Sequence, residues 1–385
     1  MWGIVDFSWS VEQLAYRQTV IEFAQKELND RLIERDHDSE FSREAWQKCA
    51  DFGLLGLPFP EELGGQGADY LTTMLAMEAL GYGCRDNGLI FSLGAHLWSG
   101  ATPIARFGTP EQKDRYLRGM IDGSLIAVQG MTEPGSGSDA YSLATTATQD
   151  GDGWVLNGSK TFITNAPVAD VFVVFTSVDR SKGWLGITAF IVEKDTPGLT
   201  VGKPFHKMGI RTSPMSELVF EDCRLPAEAM LAKRGSGMMV FNHSIEHERG
   251  AILAHTIGNM ERQLEEAVAY ARERRQFGQP IGKFQAVSHK LVDMKVRLES
   301  ARLLVYRLGW EWDRGGGKAI DASMVKLVLS ESWVQNSLDA MALHGAYGYM
   351  SEGQIEREVR DALASRIYSG TSDIQRNIIA SQMKL

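Results

Sequence analysis

The sequence predicts an α+β protein in three parts: an N-terminal all-α domain over residues 1–122, a middle antiparallel β domain over 123–226 and a C-terminal four-helix-bundle domain over 227–385. Three observations carry this. Apolar residues recur at helical spacing up to about Met120, short runs rich in Thr, Val, Ile and Phe follow, and helical spacing returns from about Gly237 to the end. The length of 385 residues accommodates two to three domains at the usual ~100–200 residues each.

In the first part Leu14, Val20, Ile21, Phe23, Ala24 and Leu28 mark a helix from residue 11 to about 36, with Ser10 and Gln13 placed as a capping box. Helical patterns continue, interrupted by LPFPEELGGQG and restarted by a cap at Thr109 before Pro110. After Gly123 the runs SLATTATQ, WVLNGSKTFIT, VFVVFTS, LGITAFIVE and SELVFED are separated by turn signals such as DGDG. With no long helix between them, these strands predict an antiparallel sandwich or barrel, ending near Pro226. Three long helical segments follow, at 238–275, 284–314 and 321 to about 344, then two shorter ones; helices this long imply packing along most of a bundle.

Acidic residues number 49 against 40 basic, and 44% of the chain is hydrophobic, so disorder is excluded and the net charge of −9 repels nucleic acid. Cys49, Cys84 and Cys223 are an odd set without CxxC spacing, which gives neither a disulfide framework nor a zinc ribbon. Asp6 and Glu12 stand where a signal peptide needs basic and then apolar residues, and no run reaches the ~18 apolar residues of a spanning helix. The expectation is a reducing, cytoplasmic compartment with no membrane partner.

Several motifs are ambiguous by themselves. TEPGSGSDA contains Gly135-x-Gly137-x-x-Ala140, the spacing of a dinucleotide fingerprint, but a Thr-rich strand follows where a Rossmann turn requires a helix. What remains is a loop of small residues: a Gly-Ser turn, or a backbone that approaches a flat ligand closely. His243, Glu246 and His247 form H-x-x-E-H on one helical face, the inverted zinc-protease pattern, though no further ligand is marked and Asn242, Arg249 and Gly250 on that face suit a solvated or interface surface. Glu248 interrupts the apolar stripe of Phe241, Ile245 and Ile252; it is either a desolvated base or one half of a structural ion pair. ARERRQFGQPIGKFQ ends a helix in arginines, which complement its dipole or clamp a phosphate. Ser369, Gly370, Thr371 and Ser372 lie between two helices and offer backbone N–H groups to an anion or carbonyl oxygen, or simply cap the next helix.

In order, MTEPGSGSDA, NGSKTFITNA, HKMGIRTSPMSELVFEDCRLP, ERRQFGQPIGKFQ and RDALASRIYSGTSDIQRNIIA resemble the acyl-CoA dehydrogenase family across essentially the whole chain. The resemblance implies an FAD enzyme of the same three-part build, forming a homotetramer or a dimer. By position, Gln129, Met131, Thr132, Gly137 and Ser138 match the loop along the flavin, and Phe162, Ile163 and Thr164 the strand covering its ring. Arg274, Gln276, Phe277 and Gln285 match contacts to the FAD of an adjacent subunit, and Thr371 and Asp373 contacts to its pyrophosphate end. Ala342 and Ala346 stand where Gln and Gly are common, which removes contacts expected there.

The chain reads Tyr368-Ser369-Gly370-Thr371 where many relatives read YEGT with the Glu as base. A smaller group, resembling isovaleryl-CoA dehydrogenase, carries the base on the long helix before an Arg, which here is Glu248 before Arg249. The implied reaction is α,β-dehydrogenation of an acyl thioester. Glu248 takes the α-proton, the Ser369 backbone N–H holds the carbonyl oxygen, hydride passes to flavin N5, and Ser138, Arg249 and Gly370 contact substrate. The stretch EALGYGCRDNGLIFSLGAHLW and the SRIYSGT ending look like the natural-product branch that oxidises prolyl groups on carrier proteins. The implied partners are an acyl-CoA or an acyl or aminoacyl carrier protein, and an electron-transfer flavoprotein or another acceptor. The alternatives are a flavin oxidase or oxygenase on the same scaffold and a zinc hydrolase on His243, Glu246 and His247.

Overall fold

The computed structural model describes residues 8–385, so Asp6 lies outside the described residues. Helix α1 (Val11–Glu27) starts at the capping box of Ser10 and Gln13. The helix expected to reach residue 36 stops at Leu28 and restarts, after Arg31 in a left-handed conformation, as α2 (Leu32–Asp38). Asn29 is the reason: its amide donates to Ala24 O and to Gly83 O, which closes α1 and ties the break to the neighbouring helix. Helices α3 (Arg43–Asp51), α4 (Tyr70–Gly83), α5 (Asn87–Gly94), α6 (Thr102–Phe107) and α7 (Pro110–Ile121) complete this part, and Thr109 caps α7 as expected. Between α5 and α6 the chain winds as a π-helix from Ala95 to Ala101.

The sheet consists of β1 (Ala127–Gly130), β2 (Thr146–Asp150), β3 (Gly153–Thr164), β4 (Val171–Ser177), β5 (Ile187–Glu193), β6 (Leu199–Val201), β7 (Met215–Leu225) and β8 (Met230–Leu231), in the order β6-β7-β3-β2-β4-β5-β8. It is mixed where the sequence predicts a wholly antiparallel one. β1, entering from the helical part, pairs parallel with β4, and β2 meets β4 at one parallel pair. All seven residues of β4, the apolar run VFVVFTS, are buried, as expected of a strand covered on both faces.

The segment expected as one helix over 238–275 is two, α8 (Gly237–Ala251) and α9 (His255–Glu273). No Gly or Pro marks the break. Instead, Thr256 Oγ donates to Leu253 O at 2.7 Å and the His255 ring bonds Ile252 O at 2.9 Å, so side chains take carbonyls freed at the turn. A hairpin of β9 (Arg275–Gln276) and β10 (Gln279–Pro280) leads to α10 (Gln285–Trp312), α11 (Ala319–His344), α12 (Ala346–Tyr349), α13 (Ile355–Ala364) and α14 (Ser372–Gln382). Helices α9, α10 and α11 pack on one another, with α13 and α14 on α11. Where α4 crosses α9, a Cβ on Gly81 would lie 1.9 Å from His255 O and one on Gly258 2.0 Å from Glu78 O, so only glycine permits this approach. One apolar core runs through all three parts, with a satellite of Ala267, Met294, Ala340 and Leu343 in the bundle.

Candidate active site

A cavity of about 780 Å³ opens where α8, the loop after β1, the end of β3 and the turn before α14 converge. Its wall from α8 is the stripe of Phe241, Ile245, Glu248 and Ile252, so the carboxylate that interrupts the apolar periodicity faces the cavity. Glu248 is 8% exposed. Burial pushes its carboxyl above the usual range, partly opposed by hydrogen bonds from Ser369 and Ser99 and by the charges of Arg249 and Lys326. Ser99 Oγ donates to Oε2 at 2.6 Å and Ser369 Oγ donates to Oε1.

The turn that carries Ser369 is fixed by its carbonyl, which accepts from Arg249 Nε and from Gln375 Nε2, each at 3.1 Å. Ser369 and Gly370 both have positive φ, 56° and 86°. Among the described residues the Ser369 backbone N–H has no acceptor, which leaves it available to a ligand oxygen. Thr371 caps α14 by accepting from Ile374 N, and both residues line the cavity, so the positive end of that helix opens on it.

The small-residue loop borders the same cavity as Glu248. Gln129, Met131, Thr132, Gly137 and Ser138 all line the cavity, and a Cβ on Gly137 would meet nothing within 4 Å. An ion pair buried on both sides holds this loop in place: Lys160 Nζ donates to Glu133 Oε1 at 2.7 Å and to Met131 O at 3.2 Å. The Glu133 carboxylate also accepts from Ala144 N and Thr145 N, closing the loop at its far end. Burial lowers the Lys160 ammonium to about 8, against the opposing pull of Glu133. Burial works to raise Glu133, yet Lys160 and the N–H donors hold it below the usual carboxylate range.

Phe162, Ile163 and Thr164 form the next wall. The β3–β7 pairing shifts register between Lys160 and Ile163, and at this bulge Phe162 takes φ 58° and stands 62% exposed. The bulge turns an aromatic face outward that a regular strand would not present there. An open backbone loop, an aromatic face and a helix N-terminus around one cavity are the features a flat, phosphate-bearing cofactor requires, and these residues fit FAD.

Arg249 and Gly370 also line this cavity, but five expected residues do not. Arg274 and Gln276 border a separate cavity of about 550 Å³ together with Ala342 and Ala346. Phe277 is 92% exposed at the tip of the β9–β10 hairpin, Gln285 is exposed at the start of α10, and Asp373 pairs with Arg376 at 3.0 Å on the surface. The zinc alternative fails on geometry. His247 stacks on Trp312 with ring centroids 4.9 Å apart and bonds His243 O, while His243 packs against Phe107. Among the described residues no group of three His, Cys, Asp or Glu could hold a metal ion. The face read as solvated is partly an internal seam, because Gly250 is buried and a Cβ there would lie 2.2 Å from the Trp312 ring.

Sequence reasoning missed Ser99, Lys160 and Glu133. The last two lie in the quoted motifs NGSKTFITNA and MTEPGSGSDA, and a lysine alternating with strand residues was the available signal. Ser99 gave none.

Three family models cover the chain: the acyl-CoA dehydrogenase N-terminal domain at residues 10–124, middle domain at 129–223 and C-terminal domain at 235–384. Similar curated proteins include the L-prolyl-[peptidyl-carrier protein] dehydrogenase of Serratia sp. (strain ATCC 39006), 41% identical over 99% of each chain. The mitochondrial short-chain specific acyl-CoA dehydrogenase of Bos taurus is 42% identical over 95% of this chain and 89% of its own. Among solved structures, the prolyl acyl carrier protein oxidase AnaB is 50% identical with a TM-score of 0.97, covering 98% of this chain and 100% of its own. PigA with FAD and proline is 41% identical with a TM-score of 0.96, covering 99% and 100%.

Proposed function

The chain belongs to the acyl-CoA dehydrogenase family, and from that premise we propose that it oxidises the α,β bond of a prolyl group held as a thioester on a carrier protein. It is an oxidoreductase and its cofactor is FAD. The single observation that carries the chemical reading is Glu248: a buried carboxylate, held by two hydroxyls, facing a cavity whose other walls fit a flavin. The prolyl group is favoured by the relatives whose names specify it, including the one at 50% identity.

Glu248 takes the α-proton on a carboxylate oxygen. Burial that raises its pKa makes it a stronger base than a carboxylate in water. The free Ser369 N–H donates to the thioester oxygen as charge develops there. Phe241, Ile245 and Ile252 exclude water from the base, and the rings of Phe91 and Tyr368, 4.5 Å apart, border the same cavity. FAD, when bound, supplies the acceptor for the β-hydrogen as hydride. Gln129, Met131, Thr132, Gly137, Ser138, Phe162, Ile163, Thr164 and Thr371 hold it in this reading, while Ser138, Arg249 and Gly370 meet the substrate.

Arg274, Gln276, Phe277 and Gln285 lie away from this cavity, which supports their reaching the flavin of a second copy; Asp373, exposed and paired with Arg376, also lies outside it, and the pyrophosphate end is left to Thr371. Val292, Val296 and Leu303 leave an exposed apolar face on α10, consistent with assembly into a homotetramer. AnaB is named an oxidase, which favours dioxygen as a second reading for the electron acceptor beside an electron-transfer flavoprotein.

The test compares prolyl-carrier, prolyl-CoA and butyryl-CoA thioesters with wild type and Glu248→Gln. The expected result is preference for the prolyl-carrier form, and loss of turnover by several orders of magnitude in the flavin-replete variant. Preference for butyryl-CoA contradicts the substrate, and unchanged turnover contradicts the base.

A further inference from the structure

We infer, on the reading that Glu248 is the base, that Ser99 and Ser369 are positioning residues whose hydroxyls clamp the two carboxylate oxygens, fixing the base in direction and as an anion before a thioester arrives. Each oxygen receives one donor. Ser99 reaches Oε2 from the π-helical turn between α5 and α6, and Ser369 reaches Oε1 from the turn between α13 and α14. Two elements remote in sequence therefore meet on one side chain.

Neither contact is the default for its residue. A hydroxyl in a helix ordinarily bonds a carbonyl one turn back, as the half-buried Thr102 does to Leu97 O at 2.8 Å in the adjoining turn. Ser99, 8% exposed among Ala95, Leu97, Trp98 and Ala101, instead turns to Glu248. Ser369 sits at φ 56°, which most L-residues avoid, and two hydrogen bonds to its carbonyl keep it there. The locked turn aims its hydroxyl at the carboxylate.

The charged and titratable groups around Glu248 are Arg249 on its own helix, Lys326 on α11 and Tyr368 beside Ser369. None makes a hydrogen bond or ion pair with the carboxylate; Lys326 Nζ and Tyr368 OH have no partner at all among the described residues. The two serines are thus the direct contacts. A neutral hydroxyl stabilises the ionised form without cancelling its charge, and it can swing away when substrate enters. An arginine at hydrogen-bond distance would orient the carboxylate at the expense of its basicity.

The experiment is the pH profile of kcat/KM for prolyl-carrier thioester with Ser99→Ala, Ser369→Gly and the double variant, with flavin content and melting temperature as controls. Glycine suits φ 56°, so Ser369→Gly removes the hydroxyl without straining the turn. Removing a donor to the anion raises the pKa of the base, so the acid limb moves to higher pH. The expected shift is about one to two pH units for each single variant and more for the double. Ser99→Thr, which keeps a hydroxyl, restores the wild-type limb.

Acid limbs that coincide with wild type in both single variants overturn the clamp, whether or not the rate falls uniformly. Glu248→Gln separates this from failure of the reading beneath it. Retained turnover there removes the base and the clamp with it; an inactive Glu248→Gln with unshifted serine variants removes the clamp alone.

Discussion

At the scale of the residue, Glu248 answers two opposed demands. Its buried carboxyl binds a proton more tightly in the folded than in the unfolded state, so stability falls as pH rises above about 4.5, the ordinary value, through the raised folded one. At neutral pH the ionised group therefore destabilises the fold. We expect Glu248→Gln to melt at a higher temperature than wild type at pH 7, with the difference shrinking toward pH 4.5; an equal or lower melting temperature at pH 7 contradicts this. Lys326 is a second such case. Its ammonium is buried without a partner, and burial lowers it from 10.5 to about 8. Between those values the unfolded chain binds more protons, so this residue makes stability rise with pH, and its penalty is fully present below about 8. Lys326→Met should raise stability at pH 7 and flatten the dependence between pH 8 and 10.5, read by denaturant titration. Lys160 behaves differently because it is paired. Lys160→Met leaves the buried Glu133 without its cation and should cost about 3–5 kcal/mol, seen as a lower denaturation midpoint.

At the scale of the element, local departures from regular winding aim the site. The π-helical turn points Ser99 at Glu248, and the β3 bulge turns Phe162 into the cavity. Phe162→Gly should relieve a left-handed backbone strain of about 1 kcal/mol in the apoprotein while weakening FAD binding at least tenfold. Flavin titration alongside apoprotein melting checks both signs. Such departures are also what the sequence conceals. The stripe of Phe241, Ile245, Glu248 and Ile252 was legible because helical spacing depends only on near neighbours along the chain. The π turn, the break at residues 252–254 and the parallel placement of β1 were not: Gly100 inside the π turn does not separate π from α winding, no Pro or Gly stands at 252–254, and the partners of the π turn and of β1 are distant in sequence. The break after α1 had a faint signal in Asn29-Asp30, weak helix formers whose effect here depends on Gly83.

At the scale of the whole molecule, the residues proposed to hold the cofactor divide into two sets. The cavity containing Glu248 gathers Gln129, Thr132, Phe162 and Thr371, whereas Arg274 and Gln276 border another. Motif order along the chain showed which segments belong to one family, and family resemblance, not folding within one copy, assigned the second set to a neighbour. If a neighbour uses that set, Phe277→Asp at the exposed hairpin tip should reduce both the assembled mass by light scattering and the affinity for FAD, leaving the protomer's melting behaviour nearly unchanged. The net charge of −9 still permits an acidic carrier protein or CoA as partner, provided basic residues cluster locally where it docks. Anaerobic mixing of flavin-loaded enzyme with stoichiometric prolyl-carrier thioester tests cofactor, base and tethered substrate together. Wild type is expected to lose its oxidised-flavin absorbance within the mixing experiment while Glu248→Gln keeps it; an oxidised flavin spectrum unchanged in wild type, or bleached equally in both, contradicts the proposed reaction.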